Sequence, residues 1–198
     1  MFTTAGTKKA GVFAAAALTV AGLGTTIGLT TAQADTGSDG SSKGEVTAAS
    51  LTERVGPSNR VSSVDGDLSR GDTVEIACQL PGTPVDGNST WYKVDTGYWV
   101  SARYVDVSGD GPDHCDKGSQ QGTTTAAVNV RQAPTMQDTR LGSIGTGVST
   151  VNVYCKVSGG NVGNNTFWYA TGWGDGSETG YVHSEYLKVS GDVEFCDA

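Results

Sequence analysis

From residue 46 onward, apolar and polar positions alternate in short runs separated by turn signals, and the chain reads as all-β. The runs at 61–64, 73–80, 90–94, 98–101 and 104–107 each predict a strand. Gly56-Pro57, Asp65-Gly66, Arg70-Gly71-Asp72, Pro81-Gly82, Asp86-Gly87-Asn88 and Thr96-Gly97 punctuate them with the residues that tight turns require. No stretch after residue 34 sustains a helical period long enough to count.

The pattern then repeats. TVEIAC, WYKV and GYWVSARYVDVSGD in residues 73–110 return as TVNVYC, WYAT and GYVHSEYLKVSGD in residues 150–192. An offset of 77 carries Leu51 onto Val128, Arg54 onto Arg131, Pro57 onto Pro134, Ile76 onto Val153, Cys78 onto Cys155 and Trp91 onto Trp168. Beyond that the offset becomes 82, carrying Trp99 onto Tyr181, Tyr104 onto Tyr186 and Val107 onto Val189. The second copy therefore has five extra residues in the loop around Trp173. Each copy has its own apolar set and its own pair of cysteines, which predicts two small domains. The boundaries are 46–115 for the first, 116–122 for a polar connector (DKGSQQG) and 123–198 for the second.

The start of the chain has a different character. Lys8 and Lys9 precede an uncharged Gly/Ala/Leu/Val stretch that ends at Ala32-Gln33-Ala34, the layout of a secretory signal peptide over residues 1–34. The rival reading is a retained membrane anchor, since the stretch is about long enough to span a bilayer. Residues 35–45 contain no aliphatic side chain and read as a flexible, disordered leader. All acidic residues lie after residue 34, so removing Lys8 and Lys9 leaves 11 basic against 21 acidic residues, a net charge of −10. That balance argues against nucleic acid, which calls for clustered Lys and Arg.

Four cysteines in an exported chain read as two disulfides; free thiols or a zinc site are the alternatives, although no Cys-x-x-Cys occurs. Cys78 with Cys115 and Cys155 with Cys196 is the pairing that treats both copies alike. Units of about 70 residues often need such a staple. Closing a loop of roughly 37 residues contributes on the order of 4 kcal/mol in the chain-entropy model.

The segments VNVRQAP (128–134), TVNVYC, WY, GYV and EYLKV resemble the bacterial SH3 (SH3b) family, and the disulfide-bearing form resembles its exported actinobacterial members. The resemblance covers about three quarters of the chain, in two copies. Repeat one departs from it at LTERVGP, where Glu53 stands in place of an aliphatic residue. The resemblance implies two tandem, partly open β-barrels and, more weakly, recognition of cell-wall peptide or glycan. Fold alone does not license that function.

The aromatics are the candidate contacts. In a strand, neighbours face opposite ways, so Trp91 and Trp168 are expected inside, with Tyr92 and Tyr169 as exposed partners that stack on a ligand or cover the barrel. Trp99, Tyr181, Tyr104 and Tyr186 sit where the family keeps aromatics near its groove; the alternative is that they close the barrel. Trp173, in the Gly-rich loop GWGDGSE, either contacts ligand or folds back over its own domain.

Catalysis finds little support. His114 and His183 occupy non-equivalent positions, the cysteines are assigned to disulfides, and no Gly-x-Ser-x-Gly occurs. Asp65-Gly66-Asp67 and 110–113 complete no calcium loop. No catalytic residue, metal site or cofactor is expected. Three readings follow: a secreted, non-catalytic cell-wall (peptidoglycan) binding protein, an extracellular module that binds or inhibits a basic protein partner, and a small hydrolase, in that order.

Overall fold

The computed structural model describes residues 42–116 and 118–196. The segment read as a signal peptide and residues 35–41 of the leader lie outside the described residues. Strands β1 (Ser42–Val46), β2 (Ser50–Arg54), β3 (Ser63–Ser69), β4 (Thr73–Val85), β5 (Asn88–Val94), β6 (Trp99–Ser101) and β7 (Val105–Val107) form one antiparallel sheet. Strands β8 (Gln120–Thr124), β9 (Val128–Arg131), β10 (Arg140–Ile144), β11 (Val151–Val162), β12 (Asn165–Trp173), β13 (Glu178–His183) and β14 (Leu187–Val189) form another. The sheets share one strand order, β3-β2-β6-β5-β4-β1-β7 and β10-β9-β13-β12-β11-β8-β14, and each curls into a partly open barrel. The only helical turns among the described residues are two single 3-10 turns, Ala102–Tyr104 and Ser184–Tyr186.

Two expected edges move. The leader assigned to 35–45 loses residues 42–45 to β1, which pairs with β4 and β7. A ladder is made by backbone groups, so a segment without aliphatic side chains can still enter it. The Lys43 ammonium lies 2.7 Å from the Glu75 carboxylate across that pair. The connector assigned to 116–122 likewise yields residues 120–122 to β8. Composition marked both segments as polar, and neither needed to be apolar to pair.

Each barrel has its own core. Val46, Leu51, Val74, Ile76, Val94, Val100 and Val105 fill the first. Val128, Val130, Val151, Val153, Val182, Leu187 and Val193 fill the second. Glu53 occupies the position of Val130 and is itself buried; the Thr96 hydroxyl donates a hydrogen bond to its carboxylate, and β2 forms around it.

A third cluster belongs to both repeats. Cys78, Leu80, Trp91, Trp99 and Cys115 of the first pack with Cys155, Val157, Trp168, Ala170, Tyr181 and Cys196 of the second. A β-bulge creates the surface that makes this possible. The β4 register runs from Ile76 opposite Val94 to Cys78 opposite Lys93, so Ala77 is the extra residue. In β11 the step from Val153 opposite Thr171 to Cys155 opposite Ala170 makes Tyr154 the extra residue. A bulge re-aims the side chains beyond it. Residues before it point into their own barrel, and Cys78, Leu80, Cys155 and Val157 after it point into the shared cluster.

The contacts across that cluster are reciprocal. Tyr181 donates its hydroxyl to the Pro81 carbonyl at 2.5 Å. Trp99, the counterpart of Tyr181, lies with Val157 and Ser158, and Ser158 is the counterpart of Pro81. Gly56 approaches the Ser158 carbonyl so closely that a Cβ on it would overlap that oxygen. Both expected disulfides are present, Cys78–Cys115 and Cys155–Cys196. Each ties the end of its repeat along the long strand, where His114 bridges to Gln79 and Phe195 to Lys156. His114 thereby reaches the other repeat, with Nε2 2.9 Å from the Thr179 hydroxyl and its ring edge-on to Tyr154.

Two outcomes are expected from these contacts. Tyr181→Phe removes one buried hydrogen bond and should lower unfolding free energy by about 1 kcal/mol in urea titrations, with no effect if the hydroxyl were solvated. Burial lowers the His114 pKa below its ordinary 6.5. The unfolded chain then binds that proton more readily, so stability is full above about pH 6.5 and falls as pH drops toward the folded value. His114→Gln should flatten this part of a Tm-versus-pH curve; an unchanged slope would assign it to other groups.

Candidate functional site

Each repeat carries one groove at the same place, lined by residues that correspond position for position. In repeat two Ala127, Val128, Asn129, Arg131, Met136, Val162, Trp168, His183 and Tyr186 enclose about 260 Å³. In repeat one Ser50, Leu51, Thr52, Arg54, Asn59, Val85, Trp91, Ser101 and Tyr104 enclose about 160 Å³. Applying the two repeat offsets converts one set into the other without a gap.

The invariant parts of the groove are held by backbone acceptors. Trp91 Nε1 donates to the Thr83 carbonyl at 2.9 Å, and Trp168 Nε1 donates to the Gly160 carbonyl at 2.8 Å. Arg54 Nη1 donates to the Val61 carbonyl at 3.0 Å, and Arg131 Nη1 to the Asp138 carbonyl at 2.9 Å. Both guanidinium groups thus close a turn beside the groove. Ser101 and His183 each cap the 3-10 turn that follows: Ser101 Oγ accepts the Arg103 N–H, and His183 Nδ1 accepts the Glu185 N–H. His183 Nε2 then donates to the Asn165 carbonyl at 3.1 Å.

The grooves differ in chemistry. Repeat one presents Ser50, Thr52 and Asn59 where repeat two presents Ala127, Asn129 and Met136. Met136 is 56% exposed, an apolar chain left in water at the groove mouth. Tyr104 sits on its groove, with its hydroxyl donating to the Asp86 carboxylate at 2.9 Å, a bond that raises the phenol pKa. Tyr186 stands free at the other groove, 36% exposed and tilted against His183.

Of the seven aromatics singled out in the sequence, Tyr104 and Tyr186 are brought to the grooves. Trp99 and Tyr181 are not: both are buried in the shared cluster, because the bulged strand of the opposite repeat covers them. Tyr92 and Tyr169 are half-buried rather than exposed. Both faces of β5 and β12 are covered, one by the barrel core and the other by the shared cluster, and burial raises both phenol pKa values. Trp173 folds back, with its ring on Gly142 and the edge of the second barrel core.

Sequence reasoning missed Met136, Val85, Val162 and His183 as groove residues. Two signals could have found them: Met136 is a lone apolar side chain in the polar turn after Pro134, and Val85 and Val162 are a matched pair in the repeat.

Among the described residues no helix is long and apolar enough to cross a membrane. No curated protein matches the sequence. Among solved structures the chain is similar to that of NlpC2 from Trichomonas vaginalis, at 12% identity and a TM-score of 0.30, over 76% of this chain and 48% of that one. The chain thus spans about half the length of that protein. Residues 126–188, which run from just before β9 into β14, match the family model of the bacterial SH3 domain. With one strand order in both sheets, the architecture is all-β and SH3-like in each barrel.

Proposed function

We propose that this is an exported, non-catalytic protein that binds cell-wall (peptidoglycan) peptide or glycan in its two equivalent grooves. The observation that carries the reading is the groove pair itself, open at nine corresponding positions although the side chains there have diverged. A shallow, partly apolar groove with a few polar groups suits a short extended chain. Two such grooves on one chain raise affinity for a repetitive ligand, because the second contact is intramolecular.

Other features agree with this reading. All cysteines among the described residues are in disulfides, as suits an oxidising compartment. Both His183 ring nitrogens are committed to backbone partners, which leaves no free base in that groove. The net charge of −10 after residue 34 favours a second reading, a basic exported protein as partner.

Co-sedimentation of the disulfide-bonded chain with purified sacculi, at low and high salt, separates the two. Groove binding should persist at both salts, whereas charge-steered binding is screened out. Ser50→Trp and Ala127→Trp each fill one groove from an exposed position. Either should weaken retention severalfold, and together they should reduce it by at least about tenfold. Undiminished retention of the double variant would exclude the grooves.

A further inference from the structure

The groove of repeat two does not end at Met136. That side chain also lines a second, polar cleft of about 350 Å³, where repeat two faces the Arg60 turn of repeat one. We infer that the two form one continuous track, in which Arg60 takes the carboxylate of a short peptide whose small apolar residues lie along the groove of repeat two. The inference rests on the groove reading above and names the ligand class and the end that is recognised.

Arg60 is positioned for this role by the other repeat. Its Nε lies 3.6 Å from Asp138 Oδ2, and its Nη1 donates to the Gln137 carbonyl at 3.3 Å. Asp138 is buried and also accepts a hydrogen bond from Thr83, which in turn is 2.6 Å from the Ser58 hydroxyl. The guanidinium is thus held through Nε and Nη1 while its side chain remains 49% exposed. Nη2 has no partner among the described residues, and Nη1 keeps a second hydrogen. These are the two parallel donors that a carboxylate accepts. A phosphate dianion would call for more positive charge than one guanidinium already facing Asp138.

The repeat symmetry breaks at this place. The equivalents of Arg60, Met136, Gly160 and Asn161 are Gln137, Asn59, Thr83 and Pro84. Thr83 is committed to the Asp138 network, whereas Gly160 has no side chain and leaves the cleft open. The groove of repeat one therefore faces Gln137 in place of a guanidinium and has Asn59 in place of the apolar bridge, and the track is single. A peptide fits it better than a sugar. Trp168 is buried, Tyr186 is the one exposed ring in the groove, and Met136 and Val162 offer flexible or aliphatic surface rather than the flat aromatic faces that sugars stack on.

The test titrates the full, disulfide-bonded, 15N-labelled chain with an alanine pentapeptide bearing a free C-terminal carboxylate, and with the same peptide as its C-terminal amide. The acid should bind about tenfold more tightly, shifting the Met136 and Gly160 amides and the Arg60 Nε–H signal. Because Arg60→Gln alone would strand the buried Asp138, the paired variant R60Q/D138N keeps the Thr83 bond and a neutral partner. In it the acid should fall to within twofold of the amide measured on the same variant. Ala127→Trp should weaken both peptides, whereas Ser50→Trp should leave the acid preference intact.

Equal binding of acid and amide, or an acid preference that survives R60Q/D138N, overturns the assignment. So does failure of both peptides to bind to a chain that sacculi retain through its grooves, an outcome that leaves the groove reading standing. Retention unaffected by the filled grooves would overturn the groove reading and this assignment with it.

Discussion

One extra residue in the long strand of each repeat, Ala77 in β4 and Tyr154 in β11, sets what the rest of the chain can do. Without the bulge, an alternating strand would send every apolar residue into its own barrel. With it, the second half of the strand turns Cys78, Leu80, Cys155 and Val157 outward to meet their counterparts. Four large aromatic side chains, Trp91, Trp99, Trp168 and Tyr181, are buried there. Burial of each large apolar side chain is worth roughly 1.5–3 kcal/mol, so the shared cluster rivals the few kcal/mol that one small core supplies. The repeats are joined by packing, by the Tyr181–Pro81 hydrogen bond and by the Arg60–Asp138 pair, as well as by the connector.

The same cluster reaches the grooves. Trp91 and Trp168 belong to the shared core, and each also lines the groove of its own repeat, pinned through its indole nitrogen. A ligand in either groove therefore rests on a side chain whose position the opposite repeat helps to fix. Rigid support of this kind lowers the ordering cost of binding. It also explains why the grooves kept their outline while their chemistry diverged. The tryptophan, the arginine and the turn cap are bonded to backbone groups, whereas Ala127, Asn129 and Met136 line the groove as exposed side chains.

Much of the architecture was legible in the chain. The doubled TV-x-[IV]-x-C and WY segments placed the long strands, treating the two copies alike gave the cysteine pairing, and the alternation around Trp91 and Trp168 put those rings inside. The shared cluster was not legible, because a bulge leaves the alternation of buried and half-exposed positions in β4 and β11 unbroken while changing where the side chains point. Trp99 and Tyr181 were consequently placed near a groove, with closure of the barrel as the alternative, although strands of the opposite repeat cover them, Tyr181 lying 100 residues from its partner Pro81. Polar composition also hid β1 and the start of β8, whose pairing depends on backbone groups. The groove residues are spread over four strands and the turns between them, and only the comparison of the copies brings them together.

The central claim is that the shared cluster makes the two barrels one cooperative body. Differential scanning calorimetry of the intact, disulfide-bonded chain tests it most directly. A single transition, with van't Hoff and calorimetric enthalpies equal and sized for both barrels, is the expected result. Two resolved transitions, or a van't Hoff enthalpy near twice the value for independent halves failing to appear, would contradict it and return the molecule to two barrels on a string.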